Sequence, residues 1–256
     1  MSAATKRYAS LLILLLVCLL TAACAPTVPT DRTPAAWIQA SLDNLPQTTS
    51  QVLLVTTNES NDFKARLYVL EKDGEVWRNA FVPLPALIGG NGMAPPGDKR
   101  EGDRRTPSGV FTLQRTFGYE PQVDSRMPYR QAGDEDIWVD DPASPDYNRW
   151  VRKDETAAAS YEVLQRADDC YKYGIVVEYN TDPVVKGAGS AIFIHVRGGR
   201  NQPTLGCVAL SEGDLLKVLR WLDPAAKPLA VLGTRDSLFL VTKGAGALVG
   251  ENGGRS

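Results

Sequence analysis

The chain has 256 residues, of which 43% are hydrophobic and 23% are charged. This ordinary composition argues against a disordered polypeptide and against a membrane protein with many spans. Lysine and arginine number 28 against 30 aspartate and glutamate residues, a formal net charge of −2. A chain so nearly neutral lacks the positive surface that nucleic-acid binding requires, so no nucleic-acid partner is expected.

The N-terminus is predicted to be an export signal. Two basic residues precede an unbroken apolar run, LLILLLVCLL, at positions 11–20. Ten residues are too few to span a bilayer but suit the hydrophobic region of a secretory signal. The following TAAC ends at Cys24 and resembles a bacterial lipobox, whose cysteine carries lipid. Ordinary signal-peptidase cleavage after Ala23 is the alternative.

These features predict a location outside the cytoplasm, in the periplasm or cell envelope, with a membrane anchor at Cys24. Ala25, which follows it, is not the aspartate of the inner-membrane retention signal, so the outer membrane is a candidate location.

The predicted secondary structure is mainly β with a few helices. After the lipoprotein-type signal peptide (1–23), residues 24–49 are predicted to form a tether rich in proline and threonine and a short helix over AAWIQASLDNL. Residues 50–242 are predicted to form one domain, and residues 243–256 a disordered tail. The strands of this domain are predicted over QVLLVTT, ARLYVLEK, EVWRNAFV, GVFTLQRTFGY, GIVVEYN, SAIFIHV, PLAVLG and SLFLV.

Two helices are predicted inside that domain. One covers ETAAASYEVLQRADD. The other covers SEGDLLKVLRWLDP, with Ser211 as N-cap, Asp214 in the capping-box position and Pro224 at its end.

Two polar stretches have no clear periodicity. The KREGDRR run is predicted to be a solvated loop of mixed charge. Residues 119–150 are unusually long for an irregular segment, and they are either a cap over a polar ligand or an insertion without a specific role.

His195 is the only histidine of the chain, and Cys207 follows it by twelve positions (207 − 195). Thiol chemistry at neutral pH needs a titrating partner, and this chain offers a single imidazole. Gly206 permits a close backbone approach, and the helix that starts at Ser211 places the thiol near a favourable electrostatic environment. The structural alternative is a core histidine beside a buried cysteine.

Metal and cofactor chemistry have little support. One histidine and widely spaced cysteines make a poor zinc set. The chain has no P-loop and no glycine-rich dinucleotide fingerprint after a strand, so neither a metal nor a cofactor is expected.

The run HVRGGRNQPTLGCVALSEGDLLKVLRWLDP resembles the catalytic segment of the L,D-transpeptidase (YkuD-like) family, which modifies bacterial peptidoglycan. GDRRTPSGVFTL is similar to the family's Thr-Pro-x-Gly-x-Phe element, and GIVVEYN precedes the histidine strand as it does there. Leu205 replaces the second histidine of the family's Ser/Thr-His-Gly-Cys motif, and Ala209 stands where many members have arginine. The chain is thus similar to a Thr-x-Gly-Cys branch with a β-sandwich or barrel-like catalytic domain.

The resemblance implies a cysteine acyltransferase acting on peptidoglycan stem peptides. Cys207 would attack the stem carbonyl before the terminal D-alanine, with His195 as general base and acid. The backbone N–H of Gly206 would hold the oxyanion, and Thr204 would orient the loop. Transfer to the amine of a neighbouring stem would form a 3-3 cross-link.

Four residues are weaker candidates for substrate binding. Arg197 and Arg200, on the loop between the two catalytic residues, could bind a substrate carboxylate. Tyr179 and Asn180 are weaker still.

Three alternatives remain open from sequence. The protein could be an L,D-carboxypeptidase or other peptidoglycan hydrolase of the same fold, or a non-catalytic peptidoglycan-binding lipoprotein. A disulfide between Cys170 and Cys207 would instead make an inactive stapled domain.

Overall fold

The computed structural model describes residues 32–243. The predicted signal peptide, Cys24, the first part of the predicted tether and the tail after residue 243 lie outside these residues. From Thr33 onward the described residues form one compact unit. None of their helices has the length and apolar character that crossing a bilayer requires.

The described residues fold mainly into β-strands, which confirms the predicted fold class. In chain order the strands are β1 (Gln51–Thr57), β2 (Lys64–Asp73), β3 (Val76–Asn79), β4 (Leu84–Leu87), β5 (Gly109–Thr112), β6 (Thr116–Gly118), β7 (Tyr129–Gln131), β8 (Asp136–Val139), β9 (Trp150–Arg152), β10 (Tyr161–Val163), β11 (Tyr173–Val176), β12 (Phe193–Val196), β13 (Val208–Leu210) and β14 (Leu229–Thr234). The α-helices are α1 (Ala36–Leu42), α2 (Glu212–Trp221) and α3 (Leu238–Lys243), and short 3-10 helices cover Lys153–Glu155 and Pro224–Ala226.

One large sheet curls into a half-barrel. Its strand order is β5-β14-β1-β2-β4-β13-β12-β11-β6-β7, with β3 paired to β2 outside this path. A second, three-stranded sheet has the order β10-β8-β9. Parallel pairing joins β1 to β14, β6 to β7 and β12 to β13. The last of these pairs positions the candidate site.

Strand β1 is buried along its whole length because both faces of the sheet are covered there. Leu53 and Val55 face the cluster that includes α2. Val52 and Leu54 face the opposite cluster, against α1 and α3. The two-residue alternation of a strand therefore sends neighbouring side chains into different cores.

Helix α2 forms as predicted. The Ser211 hydroxyl accepts the backbone N–H of Asp214, which caps the first turn. Leu215, Val218 and Leu219 are buried against the sheet. The helix α1 is likewise where a short helix was predicted.

The helix predicted over ETAAASYEVLQRADD is wrong. Only its first residue, Glu155, belongs to a 3-10 turn, and Tyr161–Val163 pairs with β8 as an edge strand. The Ala159 N–H donates to the carboxylate of Asp141 at 2.9 Å, so the alanine run bonds across to the neighbouring segment and does not form helical bonds.

The strand predicted over SLFLV is also wrong, because this segment is α3. Leu238 and Thr242, four residues apart, are buried, while Phe239 and Leu240 face solvent. A short apolar run does not distinguish a strand from a helix, and here the helical spacing covers the edge of the core. The single strand predicted over GVFTLQRTFGY is interrupted, forming β5 and β6.

Residues 119–150 contain β7 and β8 and belong to the ordered body of the domain. Asp140 lines the large cavity described below, so part of this region forms a cavity wall.

Candidate active site

His195 lies on β12, and Cys207 immediately precedes the adjacent parallel strand β13. His195 pairs with Ala209, and Ile194 pairs with Val208, so Cys207 stands immediately before β13. Because side chains alternate along strands, Cys207, Ala209 and His195 project from the same face of the sheet. His195 is 7% exposed and Cys207 is 8% exposed. The two residues line the same cavity.

The cavity has a volume of about 650 Å³ and a strongly charged lining. Several separate segments of the chain supply both signs of charge, so the cavity suits a polar, zwitterionic or peptide ligand. Its charged residues include Lys99, Glu101, Arg104, Asp140, Glu162 and Arg166.

The Cys207 thiol is held by two backbone groups. It donates to the carbonyl of Ala191, with Sγ and oxygen 3.1 Å apart, and it accepts the N–H of Phe193 at 3.3 Å. Burial raises the pKa of this thiol to about 12. Desolvation dominates in the resting site and the sulfur is protonated there, so the expected favourable electrostatic environment stays a prediction.

His195 is a neutral imidazole in this site. Its Nδ1 lies 2.8 Å from the carbonyl oxygen of Val196, which can only accept, so Nδ1 carries the proton. Burial lowers the pKa of His195 to about 4. The Tyr171 ring packs edge-on against the imidazole, with centroids 5.2 Å apart. Nε2 is thus left as the basic nitrogen of a fixed ring.

Thr204 ties together the loop before the thiol. Its hydroxyl donates to the Cys207 carbonyl at 2.6 Å and accepts the Gly206 N–H at 3.2 Å. The Gly206 N–H, predicted to hold an oxyanion, is therefore engaged in the resting loop. The Cys207 N–H makes no hydrogen bond within residues 32–243, which leaves it available for a ligand oxygen.

Gly206 adopts a backbone that other residues rarely reach, with φ at +153°. A β-carbon there would lie 3.1 Å from the Arg105 carbonyl oxygen. Glycine is therefore required at this position by both conformation and space.

Thr106, fully buried, supports the same loop from the Thr-Pro-x-Gly-x-Phe element. Its hydroxyl donates to the Gly206 carbonyl at 2.8 Å and accepts the Gly89 N–H at 3.0 Å. Sequence reasoning marked the element that contains Thr106 but gave this residue no role. The Thr-Pro motif itself was the signal that could have found it.

Asn148 positions Ala191, whose carbonyl accepts the hydrogen bond of the Cys207 thiol. Its Oδ1 accepts the Ala191 N–H at 3.1 Å and the indole N–H of Trp138 at 2.8 Å. Its Nδ2 donates to the carbonyls of Tyr179 and Asn180. Ala191 has φ at +52°, an uncommon conformation for a residue with a side chain, which this network holds in place.

Tyr179 and Asn180, predicted to bind substrate, are outside the cavity lining. The Tyr179 hydroxyl donates to the carbonyl of Ala188, and the Asn180 side chain bonds to backbone groups of Val185 and Gly189. Both side chains stabilise the loop that leads into β12.

Arg197 and Arg200 also lie outside the cavity lining, although they follow β12 directly. Arg104 and Arg166 are the arginines that line it. Arg166 is bound to both oxygens of Asp168, at 2.9 and 2.7 Å, and contacts Glu162 at 3.3 Å. A substrate-binding role for the two predicted arginines stays a prediction.

Cys170 lines the cavity together with Cys207, and both are free thiols. Burial raises the pKa of Cys170 to about 11, so it is the thiol form that faces the cavity at neutral pH. Among the described residues no group of three or more histidine, cysteine or acidic side chains could hold a metal ion.

The family model described as YkuD, L,D-transpeptidase catalytic domain, matches residues 54–235. This span contains every element of the site described above. A comparison with curated proteins found no match.

Two solved structures with a related fold are those of the helical cell shape determining protein Pgp2 from Campylobacter jejuni. The K307A mutant is 17% identical with a TM-score of 0.40, and the other structure is 18% identical with a TM-score of 0.38. Each alignment covers 80% of this chain, and 59% and 60% of those chains, so the chain spans less than two thirds of their length.

Proposed function

We propose that this chain, which belongs to the L,D-transpeptidase (YkuD) catalytic domain family, is a cell-wall acyltransferase with Cys207 as its nucleophile. The observation that carries the proposal is that His195 on β12 and Cys207, just before the adjacent parallel strand β13, line one charged cavity. A thiol and a basic imidazole nitrogen in one cavity are the groups that thiol acyl transfer needs.

The first step would be acylation of Cys207 by a peptidoglycan stem peptide. Sγ bonds to the stem carbonyl carbon before the terminal D-alanine, and His195 takes the thiol proton. The carbon–nitrogen bond then breaks, and the imidazolium returns the proton to the departing amine. The product is a thioester on Cys207 and free D-alanine.

Proton transfer would accompany attack and not precede it. The thiol pKa of about 12 lies far above the imidazole pKa of about 4, so a resting thiolate–imidazolium pair is disfavoured. The thiol must leave the Ala191 carbonyl and turn toward His195 when substrate enters. His195 therefore acts as a general base during bond formation.

The developing oxyanion would be held by backbone N–H groups at the thiol loop. The Cys207 N–H is the donor available in the resting site, and the Gly206 N–H would join it after release from Thr204. Loss of one such donor typically costs about 3 kcal/mol of transition-state stabilisation.

In the second step, the side-chain amine of a neighbouring stem attacks the thioester and forms an amide, giving a 3-3 cross-link and restoring the thiol. Attack by water would give a carboxypeptidase from the same intermediate. We place this chemistry outside the cytoplasm, with the protein anchored by lipid at Cys24, because its substrate would lie in the cell envelope.

The test is incubation of the purified protein with sacculi, followed by digestion and mass analysis of the muropeptides. New 3-3 cross-linked dimers are expected, and they are expected to disappear with Cys207→Ala. Trimmed stems without dimers would assign hydrolysis in place of cross-linking.

Cys170→Ala is the matched control, because it removes the other thiol of the same cavity. It is expected to keep the activity. A carbapenem, whose strained lactam accepts a thiol, should add one drug mass to the peptide containing Cys207. Unchanged muropeptide products from a folded Cys207→Ala variant would contradict the proposed nucleophile.

A further inference from the structure

The KREGDRR loop, predicted to be solvated, turns a lysine into the thiol cavity. Lys99 is only 4% exposed. Its ammonium donates to a carboxylate oxygen of Asp103 at 2.7 Å and to the Arg100 carbonyl at 2.5 Å. Within residues 32–243 its third N–H has no hydrogen-bond partner. Three residues of this loop besides Lys99 also line the cavity: Glu101, Gly102 and Arg104.

The ion pair of Lys99 and Asp103 is oriented with its positive end toward the cavity. Lys99 is among the lining residues and Asp103 is not. The side chain of Lys99 is 5% exposed, whereas that of Asp103 is 19% exposed. Water therefore screens the carboxylate more than the ammonium.

The lysine stem packs beside the residue that precedes the nucleophile. The Cε atom of Lys99 lies 3.8 Å from the position of a β-carbon on Gly206 and 3.1 Å from that of one on Gly189. A β-carbon would crowd the stem at Gly189 but not at Gly206, where 3.8 Å is an ordinary contact, so the end of the stem passes beside the residue that precedes Cys207.

We propose that Lys99 is the source of positive charge that stabilises the thiolate of Cys207 as it forms. The inference rests on the proposed role of Cys207 as nucleophile. A buried cation in a low-dielectric cavity acts more strongly on a nearby charge than an exposed one.

Several charged or titratable groups surround the thiol, and they act in opposite directions. Lys99 and Arg166 favour the thiolate, whereas Glu162 opposes it. His195 is neutral, and burial keeps the pKa of Tyr171 well above its usual range. Arg166 is shared by two carboxylates, Asp168 and Glu162. Lys99 has one carboxylate partner, which leaves it the better source of net positive charge.

The experiment measures alkylation of Cys207 by the neutral reagent iodoacetamide across pH, read on the Cys207 peptide by mass spectrometry in the full-length protein. Lys99→Met is expected to lower the rate about tenfold at each pH below the thiol pKa, because loss of an adjacent cation reduces the thiolate fraction. Lys99→Arg is expected to restore most of the rate.

Arg104→Gln is the matched control, because it removes one positive charge from the same loop and the same cavity lining but at an exposed side chain. Its effect is expected to be less than twofold, since solvent screens that charge. The double variant Lys99→Met/Asp103→Asn removes both charges of the buried pair and is expected to behave as Lys99→Met does.

The inference would be overturned if folded Lys99→Met, or the folded double variant, gave the same alkylation rates across pH as the parent protein. Equal slowing by Arg104→Gln would also overturn it, because the effect would then be unspecific. Neither result depends on turnover. Failure of the proposed function would instead appear as unmodified Cys207 after carbapenem treatment and no new muropeptides.

Discussion

Two regions packed on the large sheet are stabilised in different ways. We call the packing against α1 and α3 the helix-covered cluster; it consists of Ile38, Leu42, Leu45, Val52, Leu54, Leu70, Trp77, Leu229, Val231 and Leu238. We call the packing around the thiol the site cluster; it consists of Phe117, Ala132, Trp138, Leu164, Tyr171, Val176, Ala191, Phe193 and Cys207. The first is largely aliphatic, and the second is built around aromatic rings.

Rings in the site cluster meet edge to face around Phe193. Its ring centroid lies 4.9 Å from that of Phe117, 5.0 Å from Trp138 and 5.6 Å from Tyr171. The same residue donates its backbone N–H to the Cys207 sulfur. Aliphatic packing supplies stability through burial alone, whereas this aromatic packing also holds the Cys207 thiol in place.

The comparison predicts that damage to the helix-covered cluster lowers stability without changing the site. Leu54, fully buried, is the test position. Leu54→Ala should reduce the free energy of unfolding by about 2–5 kcal/mol, because it removes transfer free energy and leaves a cavity. Denaturant titration measures the loss, and the rate of carbapenem acylation per folded molecule should stay at the parental value.

Phe193→Leu is the counterpart in the site cluster. It should cost about 1–3 kcal/mol through lost ring contacts and volume, and it should also slow acylation. If Leu54→Ala slowed acylation of the folded protein as much as Phe193→Leu does, the distinction between the two clusters would be wrong.

The pH dependence of stability should come from His195 at the site and not from the helix-covered cluster. His195 has a folded pKa of about 4 against 6.5 for the free side chain, because burial disfavours its charged form. Its stabilising contribution is therefore complete above pH 6.5 and is lost as the pH falls toward 4, amounting to about 3 kcal/mol. Stability measured from pH 7 to pH 4 should show this loss in the parent and in Leu54→Ala.

His195→Gln is the control, and it should lack this part of the pH dependence. The same pKa predicts that the acid limb of kcat/KM falls near pH 4, since the imidazole must be neutral to act as base. An acid limb near pH 6.5 would mean that the imidazole is solvated, against the burial described here.

The last prediction concerns the contact between the loop that precedes Cys207 and Thr106, which supports it. Thr106→Val keeps the shape of the side chain but leaves the Gly89 N–H and the Gly206 carbonyl without their partner. The expected cost is about 1–3 kcal/mol of stability, with slower acylation. Thr106→Ser retains the hydroxyl and should recover most of both, whereas a larger loss in Thr106→Ser than in Thr106→Val would assign the role to the methyl group.

Local patterns in the sequence were sufficient for much of the fold. The apolar run QVLLVTT predicted β1 at its observed bounds, and the Ser211 cap and leucine spacing predicted α2. These elements depend on periodicity and capping within a few residues. Strand β10 was missed because the preceding segment is held by the hydrogen bond from Ala159 to Asp141. Helix α3 was missed because it forms by burying Leu238 against strands distant in sequence.

The same division holds at the candidate site. A single histidine, a Gly-Cys pair and the family resemblance identified His195 and Cys207 from sequence, because the chain has no other imidazole. Lys99 was missed since a charge run has no signal for which member turns inward. The four predicted substrate-binding residues lie outside the cavity, because adjacency along the chain does not specify which face of a loop meets the ligand.

The sequence by itself determined the mainly β architecture, the two candidate reacting residues and Gly206 before the thiol, because these depend on residue type and short-range spacing. Only the tertiary structure decided the protonation of the thiol and imidazole, the partner of each loop amide, and the charge that faces the sulfur. Those properties follow from burial and from contacts between segments up to a hundred residues apart, such as Thr106 and Gly206. No local pattern records such distances.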